Sequence, residues 1–332
     1  MNSLFDSGIQ FILFIQNFSW LEAPMRFFTF LGTEYFFLFA LPVIYWCVDS
    51  ALGIRVGVAL LFTGGFNDII KMFMRGPRPY WLSTQVKALS AESSFGVPSG
   101  HSQSAAVVWG MLAHRLGKAW AWIVAVVIIF LIGFSRMFLA VHFPHDVLVG
   151  WFLGALTLWA FIALWDRAAA WAKQKSFIQQ ILLALAASLV IILFGGLAFN
   201  GLRGYVFPQE WMTNALQAGD PLPAPVSMDA TLTSAGTLFG LLAGLAWINR
   251  RGGYQVSGPV GMRILALVIG LIGVLILYLG LKMVFPSGDS LAAYFFRYLR
   301  YASIGFWVSG GAPWLFFHFK IIRPNPWGVN LI

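Results

Sequence analysis

Apolar stretches of about 20 residues recur along the chain, near 26–47, 53–74, 100–115, 119–141, 145–166, 178–199, 230–248, 262–284 and 296–319. A run of that length crosses a bilayer only as a helix, because in lipid every backbone polar group must be satisfied within its own segment. With 59% hydrophobic and only 10% charged residues, the composition excludes an ordinary soluble domain. The expected fold is an all-α, polytopic membrane helix bundle of about nine spans. Two spans are irregular: 100–115 starts polar, and 296–319 is interrupted by Arg297 and Arg300.

No basic residue precedes the first apolar run, so the opening segment lacks the charged start of a signal peptide and is expected to stay on the protein. Leu4, Phe5, Ile9, Ile12, Leu13 and Ile15 interleave with Asn2, Asp6, Gln10 and Gln16. That pattern suits a short interfacial helix about as well as a frayed terminus. Cys47 is the single cysteine, which excludes an intrachain disulfide and a thiolate metal cluster.

The formal charge of +9 is better read as topology than as affinity for nucleic acid, since Lys and Arg collect in cytoplasmic loops of multispanning proteins. With these spans, Arg55, Arg115, Lys118, Arg167, Lys173, Lys175, Arg250, Arg251, Lys320 and Arg323 share one side with only Asp49 and Asp166. That side is expected to be cytoplasmic. Glu92, Glu210, Asp220, Asp229 and Asp289 fall on the other. The chain is expected to be integral to a membrane, a bacterial inner membrane or a plasma membrane, with its chemistry facing away from the cytoplasm.

That chemistry lies in residues 1–170, while 171–332 adds further membrane helices rich in Leu, Ile, Ala and Gly. Three charged constellations stand out, because ionised groups among apolar spans are costly and are expected to face something other than lipid. In the first, Lys71 closes a span that breaks at Gly76-Pro77-Arg78-Pro79, where neither proline can continue the helix. Lys71 and Arg78 thus reach one membrane boundary, although basic residues at helix ends commonly just snorkel to headgroups.

In the second, Pro98-Ser99-Gly100-His101 precedes a span. Ser99 is placed to cap the helix, Gly100 admits close approach, and His101 falls beside the anion-binding N–H groups of the first turn. In the third, Pro144 suits the first helical position and puts Asp146 in the first turn. His142, four residues earlier, can donate one ring N–H to that carboxylate and turn its other nitrogen outward as a nucleophile or base. Arg136 ends the preceding span, and its planar fork can take two phosphate oxygens at once. His145 is read as an interfacial polar residue.

Cations for oxygens and imidazoles for attack and proton transfer suit phosphoryl chemistry. A metal site fits poorly, since divalent ions in phosphatases want several carboxylates and only Asp146, Glu92 and Asp68 lie near. No cofactor is expected.

The polar interruption from Arg203 to Met228, with Pro208, Pro221, Pro223 and Pro225, suggests an ordered loop or short interfacial pieces on the side of the site. A mere connector is the plainer reading. Gly236, Gly240 and Gly244 mark one helix face for close internal packing.

Lys71-x6-Arg78-Pro79, Pro98-Ser99-Gly100-His101 and Ser135-Arg136-x5-His142-x3-Asp146 together resemble the tripartite signature of the type 2 phosphatidic acid phosphatase superfamily. The resemblance covers residues 71–146. It implies a six-helix phosphatase core and metal-independent hydrolysis through a phosphohistidine. His142 would attack phosphorus, Asp146 orient it, and His101 protonate the leaving oxygen, while Lys71, Arg78, Ser99, Gly100 and Arg136 hold the phosphoryl oxygens.

Arg78-Pro79-Tyr80-Trp81 and the run from Ser135 to His145 also look like the glucose-6-phosphatase branch. Asp146 departs from the vertebrate form of that branch, which has Gln there. The expected substrate is a membrane lipid phosphate or polyprenyl diphosphate. A soluble sugar phosphate is the alternative, and a noncatalytic lipid-phosphate binder or transporter is the alternative of another class.

Overall fold

The computed structural model describes residues 3–219 and 224–322; Asp220, Pro221, Pro223 and Arg323, which entered the charge and loop arguments above, lie outside them. The described elements are all helical. In chain order they are α1 (Ser3–Gln16), α2 (Glu22–Phe30), α3 (Glu34–Val43), α4 (Ser50–Met74), α5 (Pro79–Leu82), α6 (Gly100–Leu116), α7 (Ala119–Phe138), α8 (Pro144–Lys173), α9 (Phe177–Asn200), α10 (Gln209–Gln217), α11 (Asp229–Asn249), α12 (Val260–Val284), α13 (Leu291–Phe306) and α14 (Ala312–His318).

Six helical segments are long and apolar enough to cross a membrane, or seven if the pair Ser19–Phe30 and Glu34–Val48, bent by 50°, is one span. On these criteria the expected count of about nine is not reached. α6 has only 17 residues and opens with a polar turn. In α13, Arg297 and Arg300 dilute the apolar run. Arg297 pairs with Asp229, and the guanidinium of Arg300 lies 5.0 Å from the Tyr301 ring centroid.

The breaks that deliver the three motifs have local causes. α4 stops where Arg75 enters the left-handed region at φ 53 and its N–H returns to Lys71 O at 3.0 Å, ahead of the two prolines. α6 opens on Ser99, whose Oγ accepts from Ser102 N at 3.4 Å, and closes on Gly117 at φ 61. α8 starts at Pro144 with Asp146 in its first turn.

The chain forms two compact units. Unit 1 comprises Met1–Phe37, Phe66–Trp159 and Gly195–Ser227. Within it the face of α8 carrying Gly150 and Gly154 meets the backbone of α6, for a Cβ at either position would stand 2.6 Å from Ser99 O or Gln103 O. This approach lets Ser99 N donate to Asp146 O at 3.0 Å, joining the second and third motifs.

α1 is a formed helix rather than a frayed end. It buries Ile9, Ile12 and Ile15, sets Phe5 5.1 Å from the Phe143 ring, and Gln16 Nε2 donates to Lys87 O and Phe138 O. The segment between Arg203 and Met228 contains α10 and is likewise docked: Asn214 Nδ2 donates to Trp81 O at 2.9 Å, Trp211 lies 5.8 Å from Trp81, and Phe207 stacks on Phe95.

Unit 2 comprises Leu38–Gly65, Ala160–Phe194 and Met228–Ile332. Its α11 presents Gly236, Gly240 and Gly244 to α13 and the π-helical turn that follows. A Cβ at Gly236 would come within 2.6 Å of Tyr298 O, so the glycine face serves internal packing as expected.

Candidate active site

All eight candidate residues lie in unit 1, delivered by the end of α4, the start of α5, the start of α6, the end of α7 and the start of α8. Arg78 is fully buried. Its Nε donates to Ser94 O at 2.7 Å, Nη1 to Val141 O at 2.7 Å, and Nη2 to Ser94 Oγ and Phe95 O at 3.1 and 3.2 Å. It therefore ties the loop ahead of the second motif to the loop of the third. Lys71 Nζ donates to the same Ser94 Oγ at 2.9 Å.

His142 is 1% exposed. Its Nδ1 lies 3.2 Å from Asp146 Oδ2, which also accepts from Phe143 N at 2.9 Å, and its Nε2 stands 3.4 Å from Arg78 Nη1. Both contacts fit the tautomer with the proton on Nδ1 and a lone pair on Nε2. Burial first, and then Arg78, Lys71, Arg136 and His101, push this imidazole well below its ordinary value. Those residues thus act on one ring and favour its neutral form.

Arg136 is 2% exposed; Nη1 donates to Thr29 Oγ1 at 2.6 Å and Nη2 to Glu92 Oε1. Its Nε and the Nε2 of His101 are buried without a hydrogen-bond partner, an unusual state for polar atoms in a folded interior. Ser99 is fully buried as the helix cap, its Oγ 2.9 Å from Ser102 Oγ. Gly100 packs on Asn67, where a Cβ would stand 3.1 Å from Oδ1, and Asn67 Nδ2 braces Gln103 Oε1 at 2.8 Å.

Several neighbours were not anticipated. Thr29 and Ser94 carry no sequence signal of their own, and Tyr80 figures only in the Arg78-Pro79-Tyr80-Trp81 resemblance. Glu92 entered only as a poor metal ligand and a non-cytoplasmic acid, yet it pairs with Arg136 and lies 3.8 Å from Arg78 Nη2. Burial alone would raise its carboxyl, but Arg136, Arg78, His101 and Lys71 hold it below the usual carboxylate range. His145 is more than an interfacial residue. It stacks on Phe143, and its Nε2 stands 3.1 Å from Asp146 Oδ1, off the direction of a hydrogen bond. Among the described residues no group of three His, Cys, Asp or Glu side chains is placed to hold a metal ion.

A carboxylate-held imidazole facing buried cations marks a membrane protein built to receive a strongly anionic group. Family models match accordingly: the PAP2 superfamily over residues 52–170, and the PAP2 superfamily phosphatase, transmembrane extension, over residues 232–324. The chain belongs to the PAP2 superfamily.

It is 34% identical over 150 residues to phosphatidylglycerophosphatase B of Bacillus subtilis (strain 168), a match spanning 41% of this chain and 71% of that one. To glucose-6-phosphatase 3 of Homo sapiens it is 32% identical over 185 residues, 48% of this chain and 53% of the relative. The chain thus spans about half the length of the glucose-6-phosphatases 3 it matches. A crystal structure titled as the first transmembrane PAP2 type phosphatidylglycerolphosphate phosphatase from Bacillus subtilis aligns at 27% identity and a TM-score of 0.43, over 50% of this chain and 88% of that one.

Proposed function

We propose that the chain is a membrane phosphatase that cleaves a lipid phosphate or polyprenyl diphosphate through a phosphohistidine. The supporting observation is the buried His142, with Nδ1 against Asp146 and Nε2 turned to Arg78. On this reading Nε2 attacks phosphorus, the bond to the leaving oxygen breaks, and His101 gives that oxygen a proton. A water then yields its proton back to His101 and attacks the phosphorus, releasing phosphate and free His142. Lys71, Arg78, Ser99, Gly100 and Arg136 hold the phosphoryl oxygens. The unpartnered Nε of Arg136 and Nε2 of His101 are available to such a ligand.

A lipid substrate suits a site at the ends of membrane helices, and one relative is named a phosphatidylglycerophosphatase. The second reading, a soluble sugar phosphate, draws on the similarity to glucose-6-phosphatase 3. α6 and the continuous α13–α14 stretch are read as further crossings, which with the bent pair makes nine. The distribution of Lys and Arg supports a site on the extracytoplasmic side; a reporter fused after Lys320 that reads as extracytoplasmic would reverse this reading.

The test is phosphate release by detergent-purified protein from lipid, polyprenyl and sugar phosphates presented side by side. Activity should persist in EDTA, and His142→Ala should lower it by at least about a thousandfold. Full activity in that variant, or loss in EDTA with rescue by Mg²⁺, refutes the mechanism.

A further inference from the structure

Glu92 stands where an anion is wanted. One carboxylate oxygen bonds Arg136, the other lies 3.8 Å from Arg78 Nη2, and burial of the two guanidinium groups is nearly complete while Glu92 keeps 28% of its side chain exposed. Its backbone is fixed independently of that contact, because Tyr80 Oη donates to Glu92 O at 3.1 Å and accepts from Glu92 N at 3.2 Å. The carboxylate can therefore leave the cations by side-chain rotation without moving the loop. Held below the usual carboxylate range, it is an anion across any working pH.

We propose that Glu92 is a selectivity residue, whose carboxylate covers the Arg136–Arg78 anion position and gives way to phosphoryl groups of more than one negative charge but not to singly charged phosphodiesters. This rests on the phosphatase reading above. A terminal phosphate carries about −1.5 to −2 charges near pH 7, whereas a diester headgroup carries one. Exchanging Glu92 for a diester swaps one charge for an equal one and must also desolvate the newcomer. Exchanging it for a terminal phosphate adds charge within reach of Arg136, Arg78 and Lys71 in a poorly solvated site, where each added charge counts heavily. A membrane site faces diester headgroups at high local concentration, so an internal competitor of unit charge keeps it from filling with bulk lipid.

The probes are inorganic phosphate and dimethyl phosphate, titrated into the detergent-purified full chain carrying His142→Ala, so that binding is read without turnover. Phosphate should bind, and dimethyl phosphate should compete poorly. Adding Glu92→Gln should tighten dimethyl phosphate by at least about tenfold and narrow the gap between the two probes. In the His142 background, dioleoylphosphatidylcholine vesicles should compete with phosphate only when Glu92 is replaced.

Removal of Glu92 leaves two buried guanidinium groups without their carboxylate, so the variant is also melted with and without phosphate, beside Glu92→Asp. Phosphate should raise the melting temperature of Glu92→Gln more than that of its parent, with Glu92→Asp between. Unchanged dimethyl phosphate affinity, or phosphate binding lost on replacing Glu92, overturns the proposal while leaving the phosphatase reading intact. Failure of phosphate to bind any of these proteins overturns both.

Discussion

The two units bury polarity in opposite ways. In unit 1 the buried polar side chains include Lys71, Arg78, Arg136, His142 and Asp146, whereas among the described residues those of unit 2 are Ser50, Thr63, Ser188, Thr231, Ser234 and Ser309. A hydroxyl inside an apolar bundle is satisfied by a nearby carbonyl, as Thr63 Oγ1 is by Ala59 O at 2.6 Å and Ser309 Oγ by Leu241 O at 2.7 Å. A buried charge needs a counter-charge and several donors or acceptors, and unit 1 supplies them by folding two loops around Arg78. Unit 2 gains its cohesion from close backbone approach, unit 1 from polar convergence. On the proposed reading unit 1 sustains its costly interior for chemistry, while unit 2 shows the cheaper way to pack membrane helices.

The comparison breaks most sharply at Arg136. Arg136→Lys keeps the charge but loses the fork that reaches Thr29 and Glu92 together, so activity should fall by about a hundredfold. The melting temperature should change little. Near-full turnover in this variant would mean that charge alone, not geometry, matters in unit 1. In unit 2 the expected loss is of the other kind. Gly240→Ala forces a methyl group into Ala302 O and should cost about 1–3 kcal/mol of stability, measured by thermal unfolding in detergent, with unchanged activity per folded molecule. An unaffected melt would show that the α11–α13 contact relaxes freely.

The same contrast explains what the sequence made legible. Ser99, Gly100, Pro144 and Asp146 announce helix starts, the prolines at 77 and 79 announce a break, and the four-residue step from His142 to Asp146 announces a hydrogen bond. Each signal is local. The convergence on the two arginines is not: Ser94 and Val141 reach Arg78 from separate loops and Thr29 reaches Arg136 from α2, with no period to mark them.

Gly195–Ser227 belongs to unit 1 although it carries none of the motifs, because Phe207 stacks on Phe95 and Trp211 packs at a tilt against Trp81, an aromatic match that ordinary spacing rules do not register. Span counting strained for a related reason. α6 and α13 spend apolar length on residues placed for polar contacts, so they read as short or interrupted even where the chain is helical throughout.

The remaining expected effect is a proton balance. His142 is held neutral by burial and by the surrounding cations, so its folded value lies below the ordinary 6.5. Below that pH the unfolded chain binds a proton that the folded chain refuses, so stability is full above about pH 6.5 and falls as the pH drops, by up to about 1.4 kcal/mol per pH unit. Glu92 has the depressed value of a paired carboxylate; its contribution is present above its ordinary 4.5 and is lost only at more acid pH. Thermal melts in detergent between pH 4.5 and pH 8 should therefore exclude Glu92, and the difference between the parent and His142→Gln curves should report this imidazole. His142→Gln, which cannot charge, should reduce the descent between pH 6.5 and pH 4.5. An unchanged slope in that variant would assign the acid sensitivity to some other group, and the cost of a neutral imidazole would no longer distinguish unit 1 from the hydroxyl-lined interior of unit 2.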